Sequence, residues 1–187
     1  MKTIGITGGI GSGKSVVCKI LKVLNYPIYD TDSQAKTLMT ESDVLKSRLK
    51  TLIGEDVYKN DEINRVKMSS FIFSSEVNRN RVNAIVHPEV FAHFNKWRLE
   101  QNSDIVFIES AILHESGLGN MVDEVWCVIA DKEVRIDRVM ERNGLSRSEV
   151  LSRINSQTPD EDIIGLSDYT IDNSGNSSLL RQIMKLL

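Results

Sequence analysis

The sequence lacks the features that mark several specialised classes of protein. It holds only two cysteines, Cys18 and Cys127, far apart in apolar stretches, so we expect two buried thiols in a reducing compartment, with a disulfide or metal site as the lesser alternative. No apolar run approaches the ~20 residues of a membrane span, and the first residues resemble no signal peptide, so we expect a soluble, cytoplasmic protein without a membrane partner. Lysine and arginine are scattered and the formal net charge is −3, which argues against a nucleic-acid partner.

What the sequence does have is an alternation of short apolar segments and longer helical patterns. Its 187 residues, of which 41% are hydrophobic and 26% charged, suit one compact domain with a small insertion. Strands that are apolar on both faces and separated by helices are typical of a parallel sheet covered on both sides. The sequence therefore predicts an α/β fold with about five strands, at residues 2–7, 27–30, 105–108, 125–129 and 169–171.

Two longer stretches interrupt this alternation. Residues 33–103 are expected to be wholly helical and too long for a simple crossover, so they predict an inserted subdomain. Residues 132–157 are helical and rich in arginine, and Arg135, Arg138 and Arg142 share one helix face because they are three and four apart. That face is either a solvated surface with acidic partners or a lid over phosphates. The predicted division is a core of residues 1–32, 104–131 and 158–187, a helical acceptor subdomain of residues 33–103 and a lid of residues 132–157.

A glycine-rich motif links the first predicted strand to the first predicted helix. Residues 8–15, GGIGSGKS, fit the phosphate-loop (P-loop) pattern G-x-x-x-x-G-K-[ST] in full. The glycines let successive backbone N–H groups turn towards phosphate oxygens, and the helix adds its positive N-terminal end. Lys14 is expected to reach the β- and γ-phosphates, and the Ser15 hydroxyl to bind the Mg²⁺ that bridges them. The predicted nucleotide-binding residues are Gly8, Gly9, Gly11, Ser12, Gly13, Lys14, Ser15 and Val16.

The motif indicates a nucleotide without choosing among a kinase, an ATPase and a GTPase-like switch. A GTPase needs Asn-Lys-x-Asp after a late strand, whereas the only Asn-Lys pair, Asn95-Lys96, lies in the helical insertion. A motor or ATPase needs an adjacent pair of acids after an apolar strand, whereas the third strand ends at Glu109-Ser110. A small-molecule kinase needs a second substrate pocket and a lid, and the two helical stretches offer both. The sequence therefore favours a kinase.

Two carboxylates close the second predicted strand, in the segment Asp30-Thr31-Asp32. Ligands of doubly wound sheets gather at the carboxyl ends of strands, so these acids are well placed to hold an attacking hydroxyl or a water on magnesium. The alternative is that Asp32 only caps the helix that starts near Ser33. Two acids beside a P-loop favour the functional interpretation.

Further short motifs follow in order along the chain. Besides the P-loop and the two acids, they are Asn83 to Pro88 (N-x-x-x-H-P), Glu115 to Leu118 after the third strand, Arg138 with Arg142 (R-x-x-x-R), Arg153-Ile154 with Gln157, and Asp172-Asn173 with Gly175. Their order and spacing resemble the dephospho-CoA kinase family over most of the chain. This resemblance implies a three-layer fold of the P-loop NTPase type.

The chain departs from the family pattern at several positions. Glu109 stands where the family usually has an aspartate at the third strand, and a longer carboxylate can still hold Mg²⁺ through a water. His114 replaces a usual aromatic residue, and Arg135 stands where a glutamine is common. None of these changes removes a group that is expected to perform chemistry.

The resemblance implies transfer of the γ-phosphoryl of ATP to the ribose 3′-hydroxyl of dephospho-CoA, which completes coenzyme A synthesis. Asp32 would orient the hydroxyl and accept its proton, while Lys14 and Mg²⁺, held by Ser15 and Glu109, would bind the phosphates. Arg142, with Arg138 on the nucleotide, would close over the transferring group and exclude water. The residues implied to bind the acceptor are Asp32, Arg65, His87 and Glu115.

Several alternatives stay open at this level. His87 precedes a proline, so it is either a structural histidine fixed in a turn or a substrate contact. The runner-up function is another P-loop nucleotide or metabolite kinase, and a nucleotide-binding switch without an acceptor is the alternative from a different class. The oligomeric state is open, with a monomer favoured.

Overall fold

A computed structural model describes all residues, 1–187, and its strands agree closely with the sequence prediction. Seven strands occur, of which five form the central sheet. They are β1 (Lys2–Thr7), β2 (Ile28–Asp30), β3 (Tyr58–Lys59), β4 (Glu62–Ile63), β5 (Ile105–Glu109), β6 (Glu124–Ile129) and β7 (Tyr169–Asp172).

Nine α-helices accompany the strands, with two short 3₁₀ turns at Glu55–Val57 and Leu118–Met121. None of the helices combines the length and apolar character that crossing a bilayer requires. The helices are α1 (Lys14–Val23), α2 (Thr31–Glu41), α3 (Asp43–Ile53), α4 (Arg65–Ser74), α5 (Glu76–Leu99), α6 (Lys132–Asn143), α7 (Arg147–Asn155), α8 (Asp160–Gly165) and α9 (Leu179–Leu186).

The central sheet is parallel, with the strand order β2-β5-β1-β6-β7, so the predicted α/β class is confirmed. β1 lies in the middle, between β5 and β6, with Ile6 opposite both Glu109 and Trp126. All but the first residue of β1 is buried, which explains why this strand reads as a continuous apolar run. The carboxyl end of a central parallel strand therefore opens directly into residues 8–13.

The chain divides into two compact units. The first unit comprises residues 1–29 and 101–187 and contains the sheet core. α1 and α9 cover one face of the sheet, where Ile6, Leu21, Trp126 and Ile183 are fully buried. The ring of Phe107 meets the rings of Tyr26 and Trp126 edge to face, with centroids 5.5 Å and 5.3 Å apart.

The second unit comprises residues 30–100. The prediction that residues 33–103 are wholly helical was wrong in one place. β3 and β4 pair as a short antiparallel hairpin, in which Tyr58 lies opposite Ile63. The two residues of its loop, Asn60 and Asp61, have φ angles of 50° and 64°. A two-residue hairpin turn needs positive φ at both positions, and Asn and Asp tolerate it.

The arginine-rich stretch is also divided, because α6 ends at Gly144 and α7 begins after Ser146. Gly144 caps α6 in the left-handed conformation, with φ of 65°. The Ser146 side chain and Glu149 then form a reciprocal capping box at the start of α7. The helical prediction for residues 132–157 therefore describes two helices rather than one.

The two cysteines are buried free thiols, as predicted. Cys127 lies on β6, and burial raises the pKa of its thiol to about 11. Because the thiolate is the reactive form, this cysteine is inert at neutral pH.

The aromatic cluster on the sheet supports a first prediction. Replacing Phe107, which is fully buried, by alanine removes a ring and leaves a cavity, so we expect a loss of about 3–5 kcal/mol in the free energy of unfolding. Urea denaturation followed by circular dichroism measures this loss. Phe73→Ala is the control, since Phe73 is 82% exposed, and it should change stability by less than about 0.5 kcal/mol. Equal losses in the two variants would contradict the proposed core.

Candidate active site

The predicted P-loop lies between the carboxyl end of β1 and the start of α1. Gly13 is the N-cap of α1, with φ of 101°, and no side chain caps the helix. The first amides of a helix have no partner within it. Here the amides of Val16 and Val17 donate to the Gly13 carbonyl at 2.9 Å and 3.3 Å, whereas the Ser15 amide donates to no backbone carbonyl. The Ser15 amide therefore remains available at the positive end of the helix, which is a ready anion site.

The backbone amides of the loop divide into two groups. The amide of Ser12 donates to the Gly9 carbonyl at 3.2 Å, and the amide of Ile10 donates to the Gln157 side chain at 2.7 Å. The amides of Gly11, Gly13 and Ser15 donate to no backbone carbonyl. This second group can therefore point several N–H donors at one anion, as phosphate binding requires.

The loop also contains the polar side chains of Lys14 and Ser12. The Lys14 ammonium donates to the carbonyl of Gly8 at 2.8 Å, which holds the cation against the loop. The Ser12 hydroxyl is buried and has no hydrogen-bond partner within the protein. Buried polar groups are rarely left unsatisfied, so this hydroxyl is a further group that an anion in the loop can satisfy.

Asn173 anchors the outer side of the loop from the end of β7. Its side-chain amide donates to the Ser12 carbonyl at 2.8 Å, and its backbone amide donates to the Ile129 carbonyl at 2.8 Å. A Cβ on Gly13 would lie 2.0 Å from the Asn173 amide nitrogen. Glycine is therefore required at position 13 for two reasons, the positive φ and the close approach of Asn173.

The three arginines of α6 differ in environment, although the sequence placed them on one helix face. Arg135 is buried, which rules out a solvated surface for it, and it pairs with Asp160. Arg138 is half-buried and donates to the Asn173 carbonyl at 2.8 Å. Arg142 is exposed, bonds only to neighbouring Asn143 and forms no ion pair. Arg142 is thus the one whose charge is open to an external anion.

Two oxygen donors beside the loop fit a magnesium ion. The Ser15 hydroxyl lies in the first turn of α1, and Glu109 ends β5 opposite Ile6, two residues before the loop. No group of three or more His, Cys, Asp or Glu side chains could form a cage for a metal. Mg²⁺ commonly takes one or two protein oxygens and completes its shell with phosphates and waters, so this donor set fits it.

Asp30 and Asp32, where β2 passes into α2, differ in position and role. Asp30 is the N-cap of α2, and its carboxylate accepts from the amide and the hydroxyl of Ser33 at 3.0 Å and 2.8 Å. Asp32 lies inside the first turn of α2 and is exposed. The capping alternative for Asp32 is therefore wrong, because Asp30 occupies the cap.

The remaining predicted site residues are spread over both units. Arg65 is the exposed first residue of α4, in the second unit. Glu115 is exposed in the loop after β5, in the first unit, and accepts a hydrogen bond from the Thr158 hydroxyl. The side chains of Arg65 and Glu115 are therefore both accessible to a ligand.

His87 does not lie in a turn, which corrects the sequence interpretation. His87 and Pro88 are in the middle of the 24-residue helix α5. The His87 ring stacks on the Phe91 ring, with the ring centroids 6.0 Å apart. Burial lowers the pKa of His87 below its usual value. The imidazole is therefore neutral at neutral pH and can donate or accept a hydrogen bond.

Sequence reasoning missed the side chains that hold the loop from outside, namely Arg135, Gln157, Asp160 and Asn173. Gln157 and Asn173 belonged to recognised motifs without an assigned role. Asn173 follows the last strand of a parallel sheet, and polar residues at that edge lie near the site. That position was the available signal for Asn173, whereas nothing local in the sequence points to Asp160.

Comparisons with known proteins agree with this geometry. The model of the dephospho-CoA kinase family matches residues 2–178. A dephospho-CoA kinase of Porphyromonas gingivalis is 43% identical over 188 residues, which cover 100% of this chain and 93% of that protein. A Thermus thermophilus protein of known crystal structure superposes with a TM-score of 0.88 at 33% identity, over 99% of this chain and 95% of that one. A shikimate kinase of Acinetobacter baumannii shares only the fold, with a TM-score of 0.56 at 13% identity over 100% of this chain and 90% of that one.

The contact between Gly13 and Asn173 leads to a prediction about nucleotide affinity. Gly13→Ala adds a methyl group where φ is positive and Asn173 is in the way, so the loop must shift. We expect ATP affinity to fall by about tenfold to a hundredfold, from strain of about 1–3 kcal/mol. Titration calorimetry with ATP measures the loss. Gly165→Ala, in α8, is the matched control because nothing lies within 4 Å of its added Cβ; unchanged affinity in both variants would contradict the role of the loop.

Proposed function

The chain belongs to the dephospho-CoA kinase family, and from this premise we propose how its residues divide the work of phosphoryl transfer. As a member, it is an ATP-dependent kinase that acts on a small molecule and catalyses the last step of coenzyme A synthesis. The reaction moves the γ-phosphoryl of ATP to the ribose 3′-hydroxyl of dephospho-CoA. The observation that carries the proposal is the P-loop at the end of β1, in which three amides donate to no backbone carbonyl.

The P-loop holds the donor. The amides of Gly11, Gly13 and Ser15, with the end of α1, bind the phosphate oxygens of ATP. Lys14 exchanges the Gly8 carbonyl for the β- and γ-phosphates and compensates the negative charge that reaches the bridging oxygen during transfer. The loop amides, unlike Lys14, give up no backbone acceptor when the phosphates bind, so their own reorganisation is small.

Ser15 and Glu109 would hold Mg²⁺ on the same phosphates. Ser15 would bind the ion through its hydroxyl, and Glu109 would bind it through a water molecule. When bound, the ion neutralises phosphate charge and orients the γ-phosphoryl group. The support is the donor chemistry of these two residues and the position of Glu109 opposite Ile6.

Asp32 is the proposed base for the acceptor hydroxyl. Its carboxylate is exposed, and the helix cap is already supplied by Asp30. Asp32 is thus not committed to holding α2 and can orient the 3′-hydroxyl and take its proton. Arg65, His87 and Glu115 are proposed to bind the rest of dephospho-CoA.

Residues 132–157 act as the proposed lid. Arg142, at the exposed end of α6, reaches over the transferring phosphoryl group, and Arg138 supports the nucleotide from beside the loop. A guanidinium is suited to this work because it stays charged and offers several donors to phosphate oxygens. The Arg142 guanidinium over this group excludes water, which otherwise would accept the phosphoryl group in place of dephospho-CoA.

The proposal includes a monomeric enzyme in the cytoplasm. Every side chain that anchors the P-loop comes from the same chain, so the donor site is complete without a second copy. Sedimentation velocity should therefore give a single species near 21.1 kDa. A dimer that persists on dilution would contradict the monomer. A cytoplasmic location is favoured because the kinase draws on ATP, and cell fractionation tests it.

The central test of the proposal measures ADP release in the presence of ATP and Mg²⁺, with and without dephospho-CoA, and identifies CoA by mass. We expect ADP release that depends on the acceptor. Asp32→Asn removes the base while keeping the shape of the side chain, so kcat should fall by about 10²–10⁴ with little change in ATP binding.

Asp43→Asn is the matched control, because Asp43 also lies in the first turn of a helix and is exposed. It should leave kcat unchanged. A wild-type kcat in Asp32→Asn would remove the base assignment, and ADP release without CoA formation would remove the substrate.

A further inference from the structure

One arginine next to the P-loop is buried to a degree that is unusual for a charged side chain. Arg135, on α6, is 3% exposed. Burying a guanidinium is costly unless its charge is paired and its N–H groups are bonded. Arg135 meets both conditions, because Nη1 pairs with the Asp160 carboxylate and Nε donates to the Ile10 carbonyl at 2.8 Å.

Hydrogen bonds hold both of the peptide groups that flank Ile10. Its carbonyl accepts from Arg135, while its amide donates to the Gln157 side chain at 2.7 Å. The guanidinium also lies directly against Gly9, where a Cβ would come within 2.2 Å of Nη2. Residues 9 and 10 of the loop therefore lie between the Arg135 guanidinium and the Gln157 side chain. A rotation of this part of the loop would break the charge-assisted bond from Arg135 to Ile10.

The partners of this clamp come from one short segment, which runs from the end of α7 to the first residue of α8. Gln157 and Asp160 are three residues apart, and Thr158 between them donates to Glu115. Asp160 is 45% exposed at its side chain, so its carboxylate is partly solvated while the guanidinium it orients is buried. The Asp160 carboxylate bonds to Arg135, and it acts on the loop through that guanidinium.

From this geometry we infer that Arg135, oriented by Asp160, is a positioning residue that holds the P-loop in its phosphate-binding conformation. With Ile10 and Ser12 held by these side chains, the amides of Gly11, Gly13 and Ser15 keep their positions before ATP arrives. Binding then carries no cost of ordering the loop, which is the benefit of preorganisation. The inference rests on the proposed role of the loop as the site of the ATP phosphates.

Arg135→Met and Asp160→Asn test the inference, with steady-state kinetics for both substrates and calorimetry for ATP. We expect each variant to raise KM and Kd for ATP by about tenfold to a hundredfold, as expected for loss of a charge-assisted bond, with KM for dephospho-CoA unchanged. Because Asp160 acts through Arg135, the double variant should bind ATP no more weakly than Arg135→Met.

Lys2→Met is the matched control, since Lys2 forms an ion pair with Glu124 at 2.6 Å at the amino end of β1, opposite to the loop. It should leave both KM values unchanged. If Arg135→Met does not fold, Asp160→Asn alone decides the question, because its side chain is partly exposed.

Lower melting temperatures with an unchanged Kd for ATP would overturn the inference and leave a purely structural ion pair, as would additive effects in the double variant. The ATP titration needs no acceptor, so it stays informative if dephospho-CoA proves to be the wrong substrate. Failure of the proposed function and failure of this inference are therefore distinguishable.

Discussion

The P-loop must keep several backbone amides free of protein acceptors, and the architecture of the first unit is arranged around that requirement. Amides without partners cannot hold a loop in shape by themselves, and Gly13 adopts a left-handed backbone conformation. The loop is instead held by side chains, by Asn173 at the Ser12 carbonyl, by Arg135 at the Ile10 carbonyl and by Gln157 at the Ile10 amide. The groups that hold the loop and the amides that bind the ligand are therefore different groups of the same backbone.

The parallel sheet makes this arrangement possible because it gathers the carboxyl ends of distant strands at one edge. Thr7 ends β1 and leads into the loop, Glu109 ends β5 beside it, and Asn173 follows β7. The buried aromatic rings of Phe107 and Trp126 fix the strands below. A rigid core thus supports a loop whose own sequence contains four glycines in eight residues.

Some features of the fold and the site were predictable because their signals are local. The five strands were found from their apolar runs, and the P-loop from its spacing. Other features depend on contacts that sequence spacing does not encode. The helix cap at Asp30, rather than Asp32, is decided by where the backbone leaves β2. The His87-Pro88 pair suggested a turn, but α5 continues through the proline, since tertiary packing overrides local preference. The hairpin of β3 and β4 is short, so its alternation was too brief to detect.

The amino-acid sequence by itself determined the fold class, the nucleotide loop and the membership of a kinase family. The strands and the loop depend on residue order over short distances, and the family is recognised from the order of short motifs along the chain. The tertiary structure decided how deeply Arg135, Arg138 and Arg142 are buried, although the three arginines share one helix face. It also paired Arg135 with Asp160 and joined Asn173 to Ser12, 161 residues away in the chain. The cost of burying a charge or a polar group depends on what surrounds it, and only the folded chain brings those surroundings together.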